Sequence, residues 1–143
     1  MFEVSELGKA YHHELIWEEA INDEGKHPTV TVEINNDIRK KEARLSNQLG
    51  RLVFGINNDG EQQEAAWVNE KLEYCQKVAK LCVIDSTGLF YDKKKPVKHT
   101  IDYFNDALIQ SKTFRDWFAD AITEVFTDDK QTLNHTLEVI DQD

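Results

Sequence analysis

The sequence predicts an α+β fold, mainly α, in which an N-terminal β-hairpin or short strands precede a bundle of about four helices. Three observations carry this expectation. Pro28-Thr29-Val30-Thr31-Val32-Glu33-Ile34 alternates apolar and polar residues with the period of a half-buried strand. Across residues 61–84, Ala65, Val68, Leu72, Cys75, Ala79 and Cys82 recur at alternating steps of three and four, the period of a helix face. Phe114, Trp117, Phe118, Ala121, Ile122, Val125 and Phe126 make a broad aromatic stripe, also at helical spacing.

Taken in order, residues 1–35 read as extended. Ile21-Asn22-Asp23-Glu24-Gly25-Lys26-His27 holds residues that tolerate positive φ, so a hairpin joins residues near 11–20 to the strand at 29–35. Glu14-Leu15-Ile16-Trp17-Glu18-Glu19-Ala20 reads equally as a first strand or the start of a short helix. Asn35-Asn36-Asp37 is a helix start, because short polar side chains accept bonds from the unpaired N–H groups of a first turn. Ile38, Leu45, Leu49, Leu52 and Ile56 line that helix, and the Gly55 to Gly60 stretch ends it. The next helix spans 61–84 as a core element, since fewer than three heptads do not make a coiled coil.

The segment DSTGLFYDKKKP, residues 85–96, offers Asp85, Ser86, Thr87 and Asp92 to a cation and three lysines to a phosphate. Gly88 and Pro96 nevertheless mark it as a connector anchored by Leu89, Phe90 and Tyr91. Thr100 then caps a short helix with Ile101, Phe104 and Leu108 inward, and Ser111-Lys112-Thr113 opens the helix that carries the aromatic stripe. Such a stripe is core; where it is wider than a small core covers, it is a partner-binding groove. Leu133, Leu137 and Ile140 keep helical spacing in an acidic end segment. The expected organisation is one domain over residues 1–126, β-rich to residue 35 and helical after it, with residues 127–143 as a loosely docked tail.

Composition narrows the function. The 143 residues carry 17 Lys and Arg against 27 Asp and Glu, a net charge of −10 that disfavours nucleic acid and anionic lipid as partners. No apolar run approaches the roughly 20 residues that span a bilayer. The opening residues lack the pattern of a secretion signal, so a cytoplasmic protein is expected.

Cys75 and Cys82 lie about 10 Å apart along one helix, too far for a disulfide, and are expected as buried thiols. His12 and His13 point to opposite faces of a strand, and His27, His99 and His135 stand alone as solvated residues. Asp116, Asp120 and Glu124 share one helix face without the Glu-x-x-His partner of a di-metal bundle. With no phosphate loop and no nucleophile elbow, the expectation is a protein without catalytic residues, metal or cofactor.

The order of parts resembles that of the tail assembly chaperones of long-tailed bacteriophages. The pieces are Val83-Ile84-Asp85-Ser86-Thr87-Gly88, then Pro96, a helix from Thr100 to Leu108, and an F-x-x-W-F-x-x-A-I helix from Phe114 to Ile122. The resemblance spans about residues 28–126. It implies a non-enzymatic factor of the host cytoplasm that binds the tape measure protein, keeps it soluble and helps the tail tube protein assemble around it, with self-association left open. Pattern then selects Phe114, Trp117, Phe118, Ile122 and Phe126 as the client surface, with Leu133, Leu137 and Ile140 as a self-covering or client-binding tail. Two other readings stay open: a small acidic inhibitor or nucleic-acid mimic that blocks a host protein, and a connector or completion protein that remains in the virion.

Overall fold

A computed structural model describes residues 10–22, 24–55 and 60–141, with side chains described over 10–22, 24–48 and 69–129. The fold is α+β and mainly α: a short antiparallel sheet near the N-terminus packs with four helices. Strand β1 (Tyr11–Ile16) and strand β2 (Thr29–Ile34) form the expected hairpin, in register from Tyr11 opposite Ile34 to Ile16 opposite Thr29. The 14–20 stretch therefore resolves as a strand that ends in a turn. Asn22 organises the connection, its Oδ1 accepting bonds from the Glu24 and Lys26 backbone N–H groups, with Gly25 at φ 74.

Alternation decides which face of β2 is covered. Val30, Val32 and Ile34 are fully buried, with Leu15 of β1 opposite Val30, while Thr29, Thr31 and Glu33 point outward. Helix α1 (Asn36–Gly55) starts where Asn35 Oδ1 accepts the Ile38 N–H at 2.9 Å. Helix α2 (Gly60–Cys82) lays Tyr74, Cys75, Val78, Ala79 and Cys82 into the core. Ile38 of α1 is buried, Leu45 and Leu72 pack partly buried against the core, and the other sequence-predicted positions, Leu49, Leu52, Ile56, Ala65 and Val68, lie outside the described side chains.

The helix expected over 61–84 stops at Cys82. Val83–Thr87 forms a third strand, β3, antiparallel to β2, so the sheet order is β1-β2-β3 with β2 central. The β-branched run Val83, Ile84, Thr87 suits a pleated surface better than another helical turn. Val83 opposes Val32 whereas Asp85 opposes Thr31, which leaves Ile84 as the extra residue of a β-bulge. The bulge has a packing consequence. Val83 and Ser86 are three residues apart and would face opposite sides of a regular strand, yet both reach the covered side, while Ile84 is turned outward.

Beyond β3 the chain makes a small arm. Gly88 sits at φ 71 with its carbonyl near Asn22 Nδ2, and a Cβ there would run into that amide. Strands β4 (Tyr91–Asp92) and β5 (Lys95–Pro96) then pair around Lys93 and Lys94, which hold φ values of 49 and 68. Helix α3 (Ile101–Gln110) is capped as expected by Thr100 Oγ1, which accepts the Tyr103 N–H, and buries Phe104 and Leu108. Helix α4 (Lys112–Asp141) opens on Ser111 Oγ, which accepts the Phe114 N–H at 3.1 Å. Its backbone continues without a break through residue 127 into the segment expected as an amphipathic tail.

Phe114, Phe118, Ala119, Ile122, Val125 and Phe126 of α4 close the core, and Phe104 meets Phe114 and Phe118 edge-on at 5.2 and 5.1 Å between ring centroids. Replacing Phe118, fully buried, with Ala is expected to cost about 3–5 kcal/mol in urea denaturation, because a ring-sized cavity opens among neighbours that cannot collapse. Ile109→Ala, at a half-exposed site on α3, is expected to stay within about 0.5 kcal/mol.

Candidate functional site

The structure divides the sequence-selected surface. Phe114, Phe118, Ile122 and Phe126 are interior, and a partner reaches them only by displacing α4. The reason is geometric: the apolar face of β2 and the inner faces of α2 and α3 need a cover, and the aromatic edge of α4 supplies it. Trp117 differs. It is half-buried, stacks on Trp17 at 5.3 Å and 21° between planes, and keeps one flank accessible. Leu133, Leu137 and Ile140 fall within the backbone of α4, but their side chains lie outside those described.

That flank of Trp117 lines a groove of about 380 Å³ together with Glu19, Thr113, Asp116, Asp120, Ala121 and Glu124. The four-residue spacing of Asp116, Asp120 and Glu124 was readable in the sequence; the arrival of Glu19 from the β1–β2 connection was not. Lys71 of α2 pairs with Asp116 at 3.0 Å and holds that carboxyl below its usual range. Among the described residues no group of three or more His, Cys, Asp or Glu side chains is close enough to hold a metal ion, so the groove gathers charge without forming a coordination shell.

A second polar constellation gave no sequence signal. Arg39, in the first turn of α1, forks onto Asp129 of α4 through Nε to Oδ2 at 2.8 Å and Nη2 to Oδ1 at 2.9 Å. The two side chains are only 14% and 7% exposed. Tyr11 of β1 donates its hydroxyl to Asp129 Oδ1 at 3.0 Å, its ring lies 5.9 Å from the guanidinium, and Asn36 Oδ1 accepts from Arg39 Nη1. Burial, and then the Asp129 carboxylate, push the Tyr11 hydroxyl up to about 12. The residues are 90 and 118 positions apart, and the cluster ties three elements together.

The connector DSTGLFYDKKKP holds a third. Ser86 is 8% exposed, and its Oγ lies 2.7 Å from His99 Nδ1. His99, expected as a solvated residue, is half-exposed and contacts the rings of Phe90 and Phe104 at 6.2 and 5.9 Å. Burial lowers its affinity for a proton from the ordinary value of 6.5, against the opposing pull of Asp85. A serine beside a histidine invites comparison with a nucleophile and its base, but Ser86 faces the covered side of the sheet and neither Ser86 nor His99 lines the groove at Trp117. The thiols are equally withdrawn. Burial pushes Cys75 and Cys82 up to about 12, and Cys82 Sγ donates to the Val78 carbonyl at 3.1 Å, so neither offers a thiolate at neutral pH.

No helix among the described residues is long and apolar enough to cross a membrane. Compared with known proteins, the chain matches no family model, no curated protein and no solved structure.

Two outcomes follow from this geometry. Arg39→Met and Asp129→Leu are each expected to lose about 3 kcal/mol, since each strands a buried charge, and the double variant, which strands neither, to lose less than either single variant in a denaturation double-mutant cycle. Native protein at pH 8 is expected to leave both thiols unmodified by a disulfide-exchange reagent over minutes, and denatured protein to titrate both.

Proposed function

We propose that this protein is a non-enzymatic tail assembly chaperone of a long-tailed bacteriophage, acting in the host cytoplasm, with the tape measure protein as client and tail tube assembly as the process it assists. The observation that carries the reading is where apolar side chains stay exposed. Helix α3 buries Phe104 and Leu108 yet leaves Ile101, Tyr103 and Ile109 exposed by 38%, 46% and 49%. A ten-residue helix that is apolar on more than its core face supports a role in holding an amphipathic helical client. The net charge of −10 supports it too, because mutual repulsion keeps a protein carrying a sticky client soluble. In this reading the client surface is α3 with the accessible flank of Trp117, and the interior members of the α4 stripe serve as its rigid backing.

One observation favours a second reading, the small acidic inhibitor: Glu19, Asp116, Asp120 and Glu124 line one groove. The Lys71–Asp116 pair and the Lys93-Lys94-Lys95 tip break up any extended row of acid, which weighs against a nucleic-acid mimic. Co-expression with the tape measure protein of the same genome separates the readings. The chaperone is expected to co-purify with it and to be absent from finished virions. Capture of a polymerase or nuclease instead supports the inhibitor, and retention in the particle supports a connector. Ile101→Asp with Ile109→Asp is expected to weaken client capture about tenfold, about 1.4 kcal/mol, while leaving the unfolding midpoint close to that of the parent.

A further inference from the structure

The arm between β3 and α3 is held at both ends by side chains that have no part in the client surface. At its start, Gly88 packs under Asn22, whose amide lies 3.5 Å from the Gly88 carbonyl. At its end, His99 reaches back to Ser86 on β3 at 2.7 Å. Between them the Val97 N–H donates to the Phe90 carbonyl at 2.8 Å, and the β4–β5 turn carries two lysines in the left-handed region, each of which costs about 1 kcal/mol relative to an ordinary conformation. A turn with a built-in cost needs its neighbours to hold it, and the His99 ring, in contact with Phe90 of the arm and Phe104 of α3, is placed to do so.

We propose that the His99–Ser86 contact is a proton-sensitive latch: neutral His99 pins the return limb of the β4–β5 arm to β3, and protonation of His99 releases the arm. The inference is independent of the client. Its chemistry is that of a ring with two roles. Neutral imidazole accepts the Ser86 hydroxyl hydrogen at Nδ1 or donates to its oxygen, whichever tautomer is present, and lies against two aromatic rings at a smaller desolvation cost than the cation. Imidazolium must donate from Nδ1 and carry a charge into that setting. The arm and α3 present rings to His99, and the charged group acting on it is the Asp85 carboxylate of β3, which favours the cation but is outweighed by burial. A docked state that prefers the neutral ring keeps its full stability above about pH 6.5 and loses it as pH falls below that value. Release moves Lys93, Lys94, Lys95 and Lys98, a local basic cluster on an acidic protein.

Amide hydrogen exchange on the intact chain tests the latch. After correction for intrinsic rates, opening at the Val97 amide is expected to rise by up to about tenfold between pH 7.5 and pH 5.5, the ceiling set by one proton bound on release. The Phe118 and Ile122 amides of α4 should not change. His99→Phe, which keeps a ring beside Phe90 and Phe104, should remove the pH dependence, and Ser86→Ala should open the arm already at pH 7.5. A proton NMR titration of His99 in the wild-type protein needs no variant and should give a midpoint below 6.5. Equal exchange at both pH values, pH dependence that survives His99→Phe, an equal change across α4, or a His99 midpoint at or above 6.5 would each overturn the proposal.

Discussion

Three side chains on one face of a central strand set the terms for the rest of the molecule. Val30, Val32 and Ile34 of β2 are completely removed from water, and burying them contributes roughly 1.5–3 kcal/mol each only if the cover is continuous. A three-stranded sheet cannot cover its own face. Helix α2 meets it with small and medium residues, Cys75, Val78, Ala79 and Cys82, and the rings of α3 and α4 fill the remaining depth. The bulge at Ile84 serves the same constraint, since it turns both Val83 and Ser86 toward the covered side.

Charge is distributed to leave that core intact. The acids of the Trp117 groove remain in water, where mutual repulsion is weakened by solvent and salt. The one strongly buried carboxylate among the described residues, Asp129, receives a forked guanidinium and a phenol hydroxyl. A buried pair of this kind adds little net stability over an apolar substitute, because desolvation offsets attraction. Its effect is on geometry: it ties α4 to the start of α1 and to β1, three residues beyond the core residue Phe126.

The same packing bears on function. Of the groups that ordinarily do chemistry, the two thiols and Ser86 are buried, and Ser86 meets a half-exposed His99. Among the described residues the surface carries a half-open tryptophan in an acidic groove, a short helix with three exposed apolar side chains, exposed Ile16, Ile21 and Ile84 on and beside the sheet, and a lysine-tipped arm. Exposed apolar side chains of this kind suit contact between proteins, and the proposed reading as an assembly factor rests on them.

Much of the fold was legible in residue order because the signals are local. Alternation over Thr29–Ile34 sets β2, and the side chains of Asn35, Thr100 and Ser111 cap the helices they precede, each within three residues of its partner. The heptad-like spacing through Cys75, Ala79 and Cys82 marks the inner face of α2, and the stripe from Phe114 to Phe126 marks that of α4. Whether that stripe was core or partner surface was not local, since it depends on how much apolar area the other elements leave uncovered. Val83–Thr87 is apolar in a way that suits the end of a helix as well as a strand, and pairing with β2, more than fifty residues earlier, decides between them. The Arg39–Asp129–Tyr11 cluster, the entry of Glu19 into the groove and the Ser86–His99 contact have no periodicity at all. The sequence by itself determined the elements, because hydrogen bonds and periodicity act over a few residues. Tertiary structure alone decided which side chains meet and which stay in water, because that follows from chain closure over many residues.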